Sequence, residues 1–467
     1  MIKRTIFLLT GLAIGSNYSR ANNIRTVNEE TPSKKNVIWV VSDQHRAQAI
    51  EYMGDTNLKT PNLNRLASEG VTFMNAYSGC PWSSPFRGSL LTGRYPHNTV
   101  YRTPQHLDVS LPLISDVFND EGYITAYFGK WHLFGHNYRA FVPKEERGRF
   151  DVWVAYENNN SQYDSWVHGH DLWGRNDSIA DSEKLKGYET DALIDKAISF
   201  INRISKDTPF FLVISVQPPH DPYVAPQTYM EKRDKEKIVL RKNVPPIKRI
   251  ENKTKEDLLG YYAQIENLDY NIGRLYKALK EKNILDDTNI IYFSDHGDCH
   301  GSHGYIRKSS PWQESIRIPC IFRPAGVDVK NHISQAMFNH VDISATTLGL
   351  CGIKVPLWMY GTDYSNHVLG KKCNEKEEPD AVLLQHIYPK NFECLDRPWR
   401  GIVTKDGWKY VVIKDQPIML FNLKEDPYEL NNMVYLASPE VKIKKKELSI
   451  KLQSMLNNVG DSFIVTE

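Results

Sequence analysis

Four short apolar runs, rich in β-branched residues, mark the first two thirds of the chain: residues 36–41 (NVIWVV), 124–128 (ITAYF), 210–216 (FFLVISV) and 289–294 (NIIYFS). A continuous apolar run, unlike an alternating one, reads as a strand covered on both faces, so these predict a largely parallel sheet flanked by helices. Each run ends in groups able to do chemistry. Asp43-Gln44-His45-Arg46 follows the first, Gly129-Lys130-Trp131-His132 the second, His220-Asp221 between prolines the third, and Asp295-His296 the fourth. Open α/β sheets gather their ligands at the carboxyl ends of strands, and these residues all fall at such ends. Taken singly, each set could equally be a polar turn.

Helical periodicity fills the gaps. Leu258, Tyr262, Ile265, Leu268, Ile272, Leu275 and Leu279 recur at spacings of three and four, predicting a long helix that opens at a Thr254/Asp257 capping box and ends near Lys282. A shorter helix is predicted between Thr60-Pro61 and Gly70, and another from a Ser84 cap and Pro85 to a stop at Gly93. Ser83 would then stand just ahead of a helix N-terminus, where backbone N–H groups and Arg87 favour an anion. Past about residue 355 the pattern changes. Residues 401–413 read as a hairpin turning at Asp406-Gly407, residues 419–423 as a further strand, and residues 439–456 as a helix. The expected architecture is therefore α/β. A large mixed, mostly parallel sheet with flanking helices occupies residues 23–355, and a smaller α+β domain with an antiparallel sheet occupies 356–467. Residues 150–187 are polar and aromatic and read as a long loop, either a sugar-binding surface or an ordinary elaboration.

Charge changes this picture little. There are 58 basic and 56 acidic residues, a net +2, so no global field draws nucleic acid or a membrane surface, and any anion site must be local. The N-terminus is distinctive: Lys3 and Arg4 precede an apolar run over 6–14, with small and polar residues through Ala21. That is the layout of a cleavable signal peptide over residues 1–22, too short for stable membrane insertion, and it implies a periplasmic or secreted protein. Of the six cysteines, Cys373 and Cys394 are the first pair to consider for a disulfide, both lying in the polar C-terminal region.

The stretch 80–94 (CPWSSPFRGSLLTGR) resembles the type I sulfatase signature at Ser83, Pro85, Arg87, Leu91, Thr92, Gly93 and Arg94, departing from it at Phe86. Residues 60–67 resemble the Thr-Pro-Asn-x-x-Arg-Leu-Ala segment of that family, 129–132 its Gly-Lys-Trp-His, and 294–308 followed by Glu314, Arg317 and Pro319 its second long block. The resemblance implies an alkaline phosphatase-like fold and a sulfuric ester hydrolase of the Ser type. In such an enzyme Ser83 is oxidised to formylglycine by a sulfatase-maturating enzyme before export, and its hydrated form attacks sulfur. It implies that Asp43, Gln44, Ser83, Asp295 and His296 ring one divalent cation, usually Ca²⁺, with a transition metal the alternative where His is a ligand. Arg87 and Lys130 would steady the nucleophile, and Lys308 and His220 would hold the sulfate. His132 would take the proton whose loss expels sulfate, and His220, or alternatively Lys308, would protonate the leaving alcohol.

The substrate expected for such an exported enzyme is a sulfated carbohydrate, with exo action on galactose or N-acetylgalactosamine units of mucin or glycosaminoglycans. His45, Arg46, His136, His168, His170 and Asp221 are the candidate sugar contacts. Two other functions stay open on the sequence: a phosphomonoester or phosphonate hydrolase of the same superfold, and a glycan-binding protein whose Ser83 is never converted.

Overall fold

The computed structural model describes residues 34–175, 182–373, 378–389, 395 and 397–466. The predicted signal peptide and Cys394 lie outside the described residues. Among the described residues there are fourteen strands: β1 Asn36–Asp43, β2 Val71–Tyr77, β3 Ile124–Lys130, β4 Val152–Tyr156, β5 Trp166–His170, β6 Glu183–Lys184, β7 Phe210–Pro219, β8 Thr288–Ser294, β9 Cys320–Arg323, β10 Ile333–Asn339, β11 Ala381–His386, β12 Trp399–Thr404, β13 Trp408–Ile413 and β14 Gln416–Asn422. The first ten form one mixed sheet in the order β10-β2-β9-β8-β1-β7-β3-β4-β5-β6, and the last four a separate antiparallel sheet. The consecutive strands β8, β1, β7, β3 and β4 pair in parallel.

Burial on both faces of β1 accounts for its uninterrupted apolar run. Val37, Trp39 and Val41 pack with Phe86, Leu90 and Leu91 on one side, while Ile38 and Val40 meet Leu193, Leu268, Ile272 and Leu275 on the other. The helix carrying Leu268, Ile272 and Leu275 spans Lys248–Glu281 and so starts six residues before the predicted cap, while Leu193 comes from the helix Glu189–Arg203. Thr254 is buried within it rather than capping it, and Asp257 pairs with Lys253 at 2.8 Å, one turn away. In the second sheet one face, with Val382, Leu384, Val403 and Phe421, packs on Tyr77, Ile316 and Met337. The other face is covered by Val441, Leu448, Leu452 and Leu456 of the helix Pro439–Val459.

The segment 150–187 is not a loop. It contributes β4, β5 and β6, which extend the large sheet at one edge. The run VWVAY of β4 is buried throughout, and Gly169 of β5 approaches so closely that a Cβ there would meet the Trp153 carbonyl oxygen at 1.6 Å.

Candidate active site

Parallel pairing brings the carboxyl ends of β1, β3, β7 and β8 to one edge of the sheet, and the side chains there converge. Gly129 lets β3 close on β7: its φ is +99°, and a Cβ would stand 2.0 Å from the Ser215 carbonyl oxygen. Arg87 consequently bridges both strands, donating to Ser215 Oγ at 2.6 Å and to the Lys130 carbonyl at 3.1 Å. The helix holding Arg87 spans Ser83–Thr92, with Trp82 as its cap, so Ser83 is its first residue instead of standing ahead of it. Ser84 does not cap because its hydroxyl accepts a 2.6 Å bond from Thr103. The predicted stop at Gly93 is present, left-handed at φ +67°.

Ser83 Oγ donates to Asp43 Oδ1 at 3.3 Å and lies 3.0 Å from His296 Nε2. His296 Nδ1 faces the Gly297 carbonyl at 3.0 Å, which fixes the proton on Nδ1 and leaves a lone pair on Nε2. Asp43, Asp295 and His296 are fully buried, and their ligand atoms lie within 4.8 Å of one another. Acceptors turned toward one point repel unless a cation sits among them. The chain's own cations serve only part of this set: Lys130 Nζ donates to Asp43 Oδ2 at 2.7 Å, and Arg87 reaches Asp43 Oδ2 at 3.4 Å and Asp295 Oδ2 at 3.3 Å. Two carboxylates and an imidazole lone pair therefore fit a divalent cation. Gln44, expected among its ligands, is directed elsewhere in this structure. Its Oε1 accepts from Lys308 at 2.9 Å and its Nε2 donates to Asp298 at 2.7 Å.

A cavity of ≈ 490 Å³ opens over Ser83, lined also by Lys130, His132, His220, Asp221 and Lys308. His220 Nδ1 faces the Asp221 carbonyl at 2.7 Å, so Nε2 carries the lone pair and accepts from Lys308 Nζ at 2.7 Å. Burial first, then Lys308, holds His220 well below the usual histidine range. Burial, then Lys130 and Arg87, does the same for His132. Burial also lowers Lys130, although Asp43 opposes the shift. For Asp43 burial favours the neutral acid, but the cations facing it, Lys130 foremost, outweigh it and hold the carboxyl well below the ordinary value.

The predicted catalytic and metal-ligating residues are thus brought together, Gln44 at their margin. Among the predicted sugar contacts only Asp221 lines this cavity, paired with Arg307 at 3.2 Å. The structure places the rest outside its lining. His45 is buried, with its ring nitrogens on the Tyr292 hydroxyl and the Ala49 carbonyl. Arg46 is 1% exposed and lines a different hollow. His168 accepts from the Val142 N–H at 2.9 Å and stacks on Phe141, and His170 lies between Arg147 and the Phe150 carbonyl. Both belong to the packing of β5. His136 is exposed against Phe134 and lines no part of the cavity. Residues that sequence reasoning missed are Thr103, Tyr138, Asn158, Asn160, Arg307 and Tyr388. The two asparagines follow β4 directly, and recognising that strand would have pointed to them.

A model of the family described as Sulfatase matches residues 35–353. The chain belongs to the sulfatase family. Its activity is accordingly that of a sulfuric ester hydrolase, and a model of the N-sulphoglucosamine sulphohydrolase C-terminal region matches residues 301–458. An ulvan-active sulfatase from Formosa agariphila is 35% identical over 95% of this chain and 85% of its own. An endo-4-O-sulfatase from Bacteroides thetaiotaomicron is 27% identical over 92% of this chain and 94% of its own. A crystal structure of the candidate sulfatase yidJ from Bacteroides fragilis superposes with a TM-score of 0.82 at 29% identity, covering 93% of this chain and 98% of that one.

Proposed function

We propose that this sulfatase is an exported enzyme that hydrolyses sulfate esters of carbohydrates at Ser83 after its conversion to formylglycine by a sulfatase-maturating enzyme. The observation that carries the reading is the position of Ser83 Oγ, 3.0 Å from His296 Nε2 and 3.3 Å from Asp43 Oδ1, on the floor of a cavity ringed by Lys130, His132, His220 and Lys308. Formylglycine at this position would supply the oxygen nucleophile that a plain serine, which forms a stable sulfate ester, does not. A divalent cation held by Asp43, Asp295 and His296, calcium by the preponderance of hard oxygen donors, would neutralise a sulfate oxygen and lower the nucleophile's pKa.

The chain's own groups do the rest. Arg87 reaches both Asp43 and Asp295 through its Nη2 and offsets part of the repulsion between the two carboxylates. Lys130 and Lys308 place positive charge on either side of the ester, in a setting where water does not screen it. His220 is neutral with its lone pair toward Lys308, so the proton for the leaving oxygen comes from this pair, with the Lys308 ammonium as its reservoir. His132 is held neutral and its Nδ1 has no hydrogen-bond partner, which suits the base that removes the nucleophile's second proton as sulfate departs.

The named activities of the relatives, on ulvan and as an endo-4-O-sulfatase, favour a polysaccharide source. The ≈ 490 Å³ cavity, walled by Tyr138 and Tyr388, is of the size that takes a small ligand. That favours exo action at a chain end, with galactose or N-acetylgalactosamine sulfates as first substrates to try. Export rests on the N-terminal pattern, and among the described residues no helix is long and apolar enough to cross a membrane.

The test is expression with and without a Ser-type maturase, followed by mass spectrometry of the Ser83 peptide and assay of sulfate and phosphate esters sharing one leaving group. Loss of two hydrogens at Ser83, with sulfate turnover only in the matured protein, is expected. Turnover of the phosphate ester alone, or equal sulfate turnover without conversion, would refute the assignment.

A further inference from the structure

A second and larger hollow, ≈ 870 Å³, shares no lining residue with the cavity over Ser83. Its walls carry Arg46, Arg241, Lys242, Arg317, Lys405 and Lys424, and Asp55 is the sole carboxylate among the lining residues. Asp55 is already committed, accepting from the Tyr262 hydroxyl at 2.9 Å and from Asn57 at 2.8 and 2.9 Å. Two of the six cations have fixed partners: Arg241 meets Glu314 at 2.7 Å, and Arg317 donates to the Met74 carbonyl at 2.7 and 2.9 Å. Lys242, Lys405 and Lys424 make no ion pair among the described residues. Arg46 is the informative one. It is 1% exposed, its guanidinium donates only to the Tyr262 hydroxyl at 3.3 Å, its Nε is buried without a hydrogen-bond partner, and the carboxylates that act on its charge, Asp55 and Glu314, are hydrogen-bonded to other groups. A buried guanidinium so poorly answered is costly unless an anion completes it.

The hollow also offers the other half of saccharide chemistry. The Tyr428 ring lies 5.0 Å from the Arg241 guanidinium and 5.5 Å from Lys242 Nζ, and Gln48, Asn75 and Gln335 line the same space. Aromatic faces and amides suit sugar rings and hydroxyls, while unpaired ammonium and guanidinium groups suit sulfate or carboxylate substituents. We propose that this hollow is a second, non-catalytic binding site for a sulfated or carboxylated saccharide segment. The proposal rests on the reading of the enzyme as one that acts on glycans. The site would hold an anionic polymer to the enzyme by contacts that do not involve the ester being cut.

The test uses the full chain carrying Ser83→Ala, so that nothing is turned over. Calorimetry measures its binding to an ulvan oligosaccharide and a chondroitin sulfate oligosaccharide, with uncharged dextran as control. Adding Lys242→Ala, Lys405→Ala and Lys424→Ala should weaken polyanion binding by about tenfold, since exposed ion pairs are individually modest, and the loss should shrink as salt is raised. Tyr428→Ala should weaken it independently. The same lysine substitutions in the matured enzyme should leave turnover of a small aryl sulfate unchanged. Equal polyanion affinity with and without the three lysines, or no preference of the parent for either polyanion over dextran, would overturn the second site. Failure to release sulfate from any ester would instead refute the reading of the Ser83 cavity, so the two failures are told apart.

Discussion

His132, His220 and His296 stand in the Ser83 cavity or on its floor, whereas His45 follows β1 and His168 and His170 sit within β5, and none of these three lines that cavity. The difference is in what their nitrogens face. His45 and His170 have both ring nitrogens satisfied inside the fold, by a tyrosine hydroxyl, an arginine and two backbone carbonyls. His220 and His296 spend only Nδ1 on a backbone carbonyl and turn a lone pair toward Lys308 or Ser83, and His132 keeps Nδ1 without a partner. A histidine is thus available for chemistry only when the surrounding fold, backbone and packing side chains together, claims at most one of its nitrogens.

Substitution should separate the two groups. The largest loss belongs to Ser83 itself: Ser83→Ala should lower kcat by roughly 10⁴-fold or more, as removal of a nucleophile does, with an unchanged melting temperature. His132→Gln and His220→Gln should each lower kcat by about 10²–10⁴-fold, the usual contribution of a positioned acid or base. For His220→Gln the deficit should be smaller with a leaving group that needs no proton, such as a nitrophenolate. Equal loss on both leaving groups would remove the His220–Lys308 pair from the proton path.

The packed histidines should respond to acid through stability. Burial lowers His45 to about 4, and does the same for His300, a further buried histidine that lies 3.3 Å from Asp298. Their unfolded values are near 6.5, so between pH 6.5 and 4 the unfolded chain binds more protons than the folded one. Stability is therefore present above about pH 6.5 and falls as pH drops toward 4, by on the order of 3 kcal/mol for each such group. Urea unfolding at several pH values checks this, and His45→Gln should flatten the slope. The smallest effect is expected from His168→Ala, about 1–3 kcal/mol of stability through the orphaned Val142 N–H, with kcat/KM per folded molecule unchanged. A fall in kcat/KM there would return His168 to the sugar site.

Much of this was legible in the chain. The apolar runs of β1, β3, β7 and β8 mark strands buried on both faces, and because the sheet is parallel there, each run also locates a site residue at its end. The helix start at Ser83 was misjudged by two residues because Ser84 bonds to Thr103 across the fold, a contact that local capping rules do not contain. The segment 150–187 misled for a related reason. Its histidines and tryptophans look like surface recognition groups, yet Trp153, His168 and His170 fill the space between β4, β5 and Arg147. Gln44 shows a further limit: its place beside Asp43 suggested a metal ligand, while its carboxamide is held between Lys308 and Asp298.

Sulfate release from defined monosulfated sugars bears most directly on the convergence of four strand ends around Ser83. The matured chain should liberate inorganic sulfate from at least one such sugar. Ser83→Ala, Asp43→Asn and the unmatured chain should liberate none. Undiminished release by Ser83→Ala would contradict the placement of the chemistry at Ser83.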